Sequence, residues 1–109
     1  MDNALLVITN APDRAVALKI AHELVERRLA ACVNMLGDCD SVYRWQGRLE
    51  TAREVPLLIK TREAVYVDVE AAIRKLHPYE LPEIIAVRIE RGLPEYLQWV
   101  TAQTLTDIS

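Results

Sequence analysis

Apolar residues change their spacing along this chain, and each change marks an element. Ala4-Leu5-Leu6-Val7-Ile8 is a continuous apolar run that predicts a buried strand over 3–9. The period then becomes helical: Val16, Ala17, Ile20, Ala21 and Leu24 share one face of a helix opened by Pro12 and capped by Asp13, running to about Arg28. A long β segment follows over 31–45, with a bulge or kink at Gly37-Asp38. Gln46-Gly47 makes a two-residue turn in which Gly47 supplies positive φ, and the return strand covers 48–61. Both arms exceed ordinary strand length, so the hairpin is expected to project beyond the body of the domain.

Residues 63–76 carry two signals. Val65, Val67 and Val69 alternate as in a strand, but the length of the segment favours a helix with Tyr66, Val69, Ile73 and Leu76 on one face, Thr61 as its cap and Pro78 as its stop. A last strand is expected over 83–90, then Gly92 and Pro94 introduce a short C-terminal helix carrying Tyr96, Leu97, Trp99 and Val100. The order βαββαβ is the split βαβ signature of an α+β, ferredoxin-like sandwich: one domain over 1–109, with an antiparallel sheet and both main helices on one face. Three strands are apolar in both alternation phases, which predicts burial on both faces and a second copy of the chain as the cover.

Charge narrows the partners. Thirteen basic against sixteen acidic side chains leave a net charge of −3 in 109 residues, which argues against a broad nucleic-acid or anionic-membrane surface. The N-terminal apolar run is too short for a signal segment or a membrane span, so a cytoplasmic chain is expected. Cys32 and Cys39 match no zinc spacing and read as reduced thiols. No Ser-His-Asp or Cys-His arrangement is marked, no glycine-rich loop cradles phosphate, and 10–13 lacks the arginine of an acylphosphatase loop, so no enzyme is expected. An RNA-recognition surface of this fold needs exposed aromatics in a basic surround, whereas the chain has no Phe and is acidic.

The most informative segment is Leu76-His77-Pro78-Tyr79-Glu80-Leu81-Pro82-Glu83-Ile84-Ile85. Its prolines push His77 and Leu81 towards extended backbone and hold the side chains between them stiffly. Alone, it reads equally as a rigid helix-to-strand connection. Taken with Ala30-Ala31-Cys32-Val33-Asn34, Ser41-Val42-Tyr43-Arg44-Trp45-Gln46-Gly47, Leu57-Leu58-Ile59-Lys60-Thr61, Ala11-Pro12-Asp13 and Tyr96-Leu97-Gln98-Trp99, it resembles the CutA family of divalent-cation tolerance proteins over nearly the whole chain. That resemblance implies a homotrimer with inward-facing sheets and hairpins reaching to neighbours, and the doubly apolar sheet with its overlong hairpin arms predicts unusual thermal resistance. The resemblance also implies binding of copper or a similar divalent ion in a metal-ion response. Architecture of the PII type suggests the alternative, a regulatory trimer holding a small molecule between subunits.

Metal candidates are Cys32, His77 and Glu80, whose mixed donors point towards copper rather than a harder ion. Where other family members carry further cysteines, this chain has Thr9 and Ala72. His22 reads as a surface residue, and Cys39 as peculiar to this chain. A ligand cleft is suggested by Tyr43, Arg44 and Trp45 on one hairpin arm, Lys60 on the other, Tyr79 and Glu83 in the turn, and Trp99 in the last helix. Trp45 and Tyr43 read first as interface packing and second as pocket walls. Lys60, in an apolar strand, needs a carboxylate or a pocket, and Glu83 is the expected partner; the pair is either a buried structural bridge at the trimer seam or one wall of a cleft between subunits for a small anion or metal complex.

Overall fold

The computed structural model describes residues 2–105. Strand β1 (Ala4–Ala11) alternates strictly, with Leu5, Val7, Thr9 and Ala11 buried on one side. It lies at the centre of the sheet. β4 (Arg48–Arg62) pairs antiparallel along the full length of β1, from Ala4 opposite Arg62 to Ala11 opposite Val55, and β5 (Ile84–Arg88) pairs antiparallel on the other side. β2 (Cys32–Met35) completes the order β2-β4-β1-β5, while β3 (Cys39–Trp45) pairs with the outer half of β4. The expected break in the first arm falls at 36–38, between β2 and β3. One fifteen-residue strand therefore serves both the domain body and the projecting hairpin, and the molecule extends 43 × 28 × 23 Å.

Helices α1 (Arg14–Glu26) and α2 (Tyr66–Leu76) cover one face. Ile20, Leu24, Val69 and Ile73 from the helices meet Val7, Leu57 and Ile59 from the sheet, all fully buried. Each such side chain contributes about 1.5–3 kcal/mol relative to exposure. Asp13 caps α1 as expected, its Oδ1 accepting from the Val16 amide at 2.9 Å.

Thr61 does not cap the second helix. It remains in β4 and donates from Oγ1 to the Leu29 carbonyl at 2.6 Å, because its side chain faces the core. The helical segment begins instead with a 3-10 turn over Glu63–Val65, where Asp2 accepts from the Ala64 amide at 3.0 Å. Asp2 also binds Arg62 at 2.6 Å, and Arg62 Nε donates to Thr104 Oγ1 at 2.7 Å. This network ties the N-terminal segment to the end of α3 (Pro94–Gln103).

That helix changes the expected picture of the second face. Lys60 lies opposite Cys32 and Leu6 on the side away from α1 and α2, and the Tyr96 hydroxyl of α3 is beside the Cys32 sulfur. Thus α3 covers one end of that face. Ile85 and Val87 remain half exposed in the same layer as Leu6, Ile8 and Leu58.

At the hairpin tip Gln46 and Gly47 have φ of 51° and 80°, the paired positive values of a type I′ turn. Gly47→Val puts a β-branched side chain in left-handed backbone and is expected to cost about 1–2 kcal/mol. Urea denaturation at fixed protein concentration measures it; an unchanged midpoint would show that the turn relaxes without strain.

Candidate functional site

The two sequence-marked segments meet. β3 and the turn after α2 face each other across a cleft of about 580 Å³, lined by Tyr43, Arg44 and Trp45 on one side and Tyr79, Glu80 and Glu83 on the other. Asn10 at the end of β1 and Glu54 in β4 complete it. Six of the ten residues singled out from sequence are thereby gathered.

His77 holds the turn in place. It caps α2 in extended backbone (φ −82°, ψ 131°), as a residue before proline should, and is 6% exposed. Its Nδ1 accepts from the Tyr79 amide at 3.2 Å, so the ring proton is on Nε2, which donates to the Asn10 carbonyl at 2.7 Å. The ring also packs on Tyr79, with centroids 4.7 Å apart. Further along, Thr9 Oγ1 donates to the Glu83 carbonyl at 2.7 Å and Asn10 Nδ2 to Glu83 Oε1 at 3.0 Å. Three side chains thus fasten the turn to the end of β1.

Electrostatics inside the cleft are dominated by carboxylates. Glu54 is only 7% exposed, and no ion pair to it occurs among the described residues. Its neighbour is the Tyr79 hydroxyl. Burial, chiefly, raises the Tyr79 pKa above the ordinary 10.0, and Glu54 raises it further by accepting the phenol's hydrogen bond and repelling the phenolate; Tyr43 and Asp13 add to this. Glu54 was not singled out from sequence, although a glutamate next to Val55-Pro56-Leu57 in a strand was the available signal.

The remaining sequence candidates lie elsewhere. Lys60 does not pair with Glu83 within the protomer: it donates to Asn34 Oδ1, while Glu83 is fastened to Asn10. Lys60 is level with Leu6 on β1, four residues from Asn10, which is roughly 13 Å along a strand. Cys32 accompanies Lys60 at that distant end, so Cys32, His77 and Glu80 do not come together in one protomer. Among the described residues no group of three His, Cys, Asp or Glu side chains converges on a point. Trp99 stacks beside Tyr96 on α3, at a centroid distance of 5.5 Å, outside the cleft. His22 is exposed, and Cys39 makes a 3.8 Å contact with Ser41.

A profile described as CutA1 divalent ion tolerance protein matches residues 5–103. The chain belongs to the CutA1 family. A CutA homolog of Xenopus laevis is 48% identical over 89 residues, covering 82% of this chain and 59% of that protein, so the chain spans little more than half of that relative's length. The solved divalent cation tolerance protein of Thermus thermophilus is 42% identical, with a TM-score of 0.91 over 93% of this chain and 98% of that one. A structure from Archaeoglobus fulgidus, named a periplasmic divalent cation tolerance protein, is 36% identical with a TM-score of 0.89 over 92% of this chain and 97% of that one. These neighbours carry the fold deduced above. No helix among the described residues of this CutA1 chain is long and apolar enough to cross a membrane.

A pH prediction follows from Tyr79. Its neutral phenol is favoured in the folded state, so its contribution to stability is complete below the unfolded value of 10 and is lost as pH rises through the raised folded value. Difference absorbance titration of wild type against Tyr79→Phe should show one phenol ionising above that ordinary value. Ionisation at or below it would mean that Glu54 does not face the hydroxyl.

Proposed function

We propose that this CutA1-family chain serves divalent-cation tolerance as a homotrimeric binding protein that holds a small ligand in the cleft between β3 and the 77–83 turn, and catalyses no reaction. The observation that carries the reading is Glu54: a carboxylate withdrawn from solvent, without a basic partner among the described residues, lining a cleft of about 580 Å³. Volumes of roughly 300–1,000 Å³ are typical of small-molecule sites. Fixed by His77, the cleft is rigid on one side and borders the projecting hairpin on the other, an arrangement suited to a PII-like regulator whose ligand state neighbouring subunits sense.

Assembly is supported by the half-exposed Ile85 and Val87 beside Leu6, Ile8 and Leu58, and by the exposed Val42 and Leu49 of the hairpin, an apolar surface that a second and third copy would cover. A cytoplasmic setting is proposed on the two free thiols, Cys32 and Cys39. A divalent ion is the second reading, favoured by the names of the relatives and by the carboxylates of Glu54, Glu80 and Glu83 around the cleft. Copper, suggested by Cys32 and His77, requires donors from neighbouring protomers and the release of a His77 ring nitrogen from its present hydrogen bond.

Light scattering at micromolar concentration should give a trimer resistant to heat, and Ile85→Asp with Val87→Asp should dissociate it; a stable wild-type monomer would contradict the assembly. Native mass spectrometry of the gently purified trimer should reveal bound small-molecule mass, removed by unfolding. If calorimetry instead gave tight Cu(II) uptake abolished in Cys32→Ser, His77→Ala, with no organic mass bound, the metal reading would replace the first.

A further inference from the structure

We infer that the cleft takes an organic cation, a molecule bearing an amine or guanidinium on an apolar frame; this rests on the reading of the cleft as a ligand site and specifies its chemistry. Three carboxylates, Glu54, Glu80 and Glu83, line it against a single guanidinium, Arg44. A small anion or metal complex was expected on the strength of Lys60, but within the chain Lys60 lies at the other end of the sheet on Asn34 and is not among the residues lining this cleft.

The carboxylates are not equivalent. Glu83 already accepts from Asn10, whereas Glu54, 7% exposed, lies against the Tyr79 phenol and has no ion pair among the described residues. A hydrogen bond from a neutral phenol leaves the charge of Glu54 uncompensated, and a buried carboxylate is costly unless it is paired. A cation entering the cleft supplies the missing charge. The aromatic faces of Trp45, Tyr43 and Tyr79 provide the second element of cation recognition, attraction of positive charge to the ring quadrupole together with apolar contact.

Size and spread argue for a polyatomic cation over a metal ion. A calcium or manganese ion needs several oxygens at about 2.0–2.6 Å, so its ligands must converge. Here the acidic side chains do not converge within the protomer, and a single ion would leave most of about 580 Å³ vacant. A primary amine is charged at neutral pH, its pKa being about 10.

The test uses three matched probes, 2-phenylethylamine, 2-phenylethanol and 3-phenylpropanoate, titrated into the purified trimer after exhaustive dialysis and followed by amide chemical shifts. The amine is expected to perturb Trp45, Glu54 and Tyr79 and to bind at least tenfold more tightly than the alcohol, with affinity falling as salt rises; the propanoate should not bind. Charge variants sharpen this. Glu54→Gln, or Glu80→Gln on the exposed rim should the first variant be unstable, is expected to weaken the amine at least threefold, while Arg44→Gln, which removes the one positive charge of the lining, is expected to tighten it. Binding of the propanoate with loss in Arg44→Gln would keep the ligand cleft and overturn its cationic specificity, as would equal binding of all three probes. Failure of every probe at millimolar concentration would overturn the cleft reading as well, and displacement of the amine by Mn(II) at equimolar ratio would assign the carboxylates to a metal.

Discussion

The bridge made by His77 is the constraint on which the site depends. One imidazole, neutral and protonated at Nε2, donates to the backbone of β1 and accepts from the backbone of the turn two residues ahead. Remove it, and the Asn10 carbonyl and Tyr79 amide lose their partners in a part-buried setting, which costs less than the ~1–3 kcal/mol of a fully buried unpaired group. Pro78 requires the extended backbone that aims the imidazole, and Thr9 and Asn10 fasten the far end of the turn through Glu83. The wall of the cleft that carries Tyr79 and Glu80 is therefore a rigid extension of the central strand.

β4 provides the corresponding continuity on the other wall. Its inner half is buried between β1 and β2, and its outer half carries β3 with Tyr43, Arg44 and Trp45. Glu54 lies at the junction, opposite Cys39 in the hairpin and next to Val55, which pairs with Ala11. A charge at that point is withdrawn from water by both halves yet still borders the cleft. The position, more than the residue type, gives it chemical interest.

Much of this was legible in the chain because local rules coincide with global ones. The continuous apolar run of β1, the helical spacing from Val16 to Leu24 and the Gln46-Gly47 turn all describe structure that is present, and with the other strand and helix signals they specify the βαββαβ order. Thr61 misleads because a threonine before a helix resembles a cap, whereas the alternation of β4 turns it inward to Leu29. Lys60 and Glu83, expected as partners across a subunit seam, do not meet within one chain, where strand register decides which residues lie level and places Lys60 beside Cys32 and Asn34. Glu54 carries little local mark because the neighbour of its side chain, Tyr79, comes from the turn after α2, a contact absent from any local pattern. Covering of one end of the second face by α3 depends on the long-range Asp2-Arg62-Thr104 network and is equally invisible to periodicity.

The space bordered by Glu54, Trp45 and Tyr79 is proposed to be kept for a ligand. A crystal structure of the assembled protein, purified without denaturation and without added ligand, examines that space directly. Density for a polyatomic molecule within hydrogen-bond distance of the Glu54 carboxylate and against the Trp45 ring is the predicted result. A cleft filled by side chains of a neighbouring protomer, with a basic residue of that protomer paired to Glu54, would contradict it.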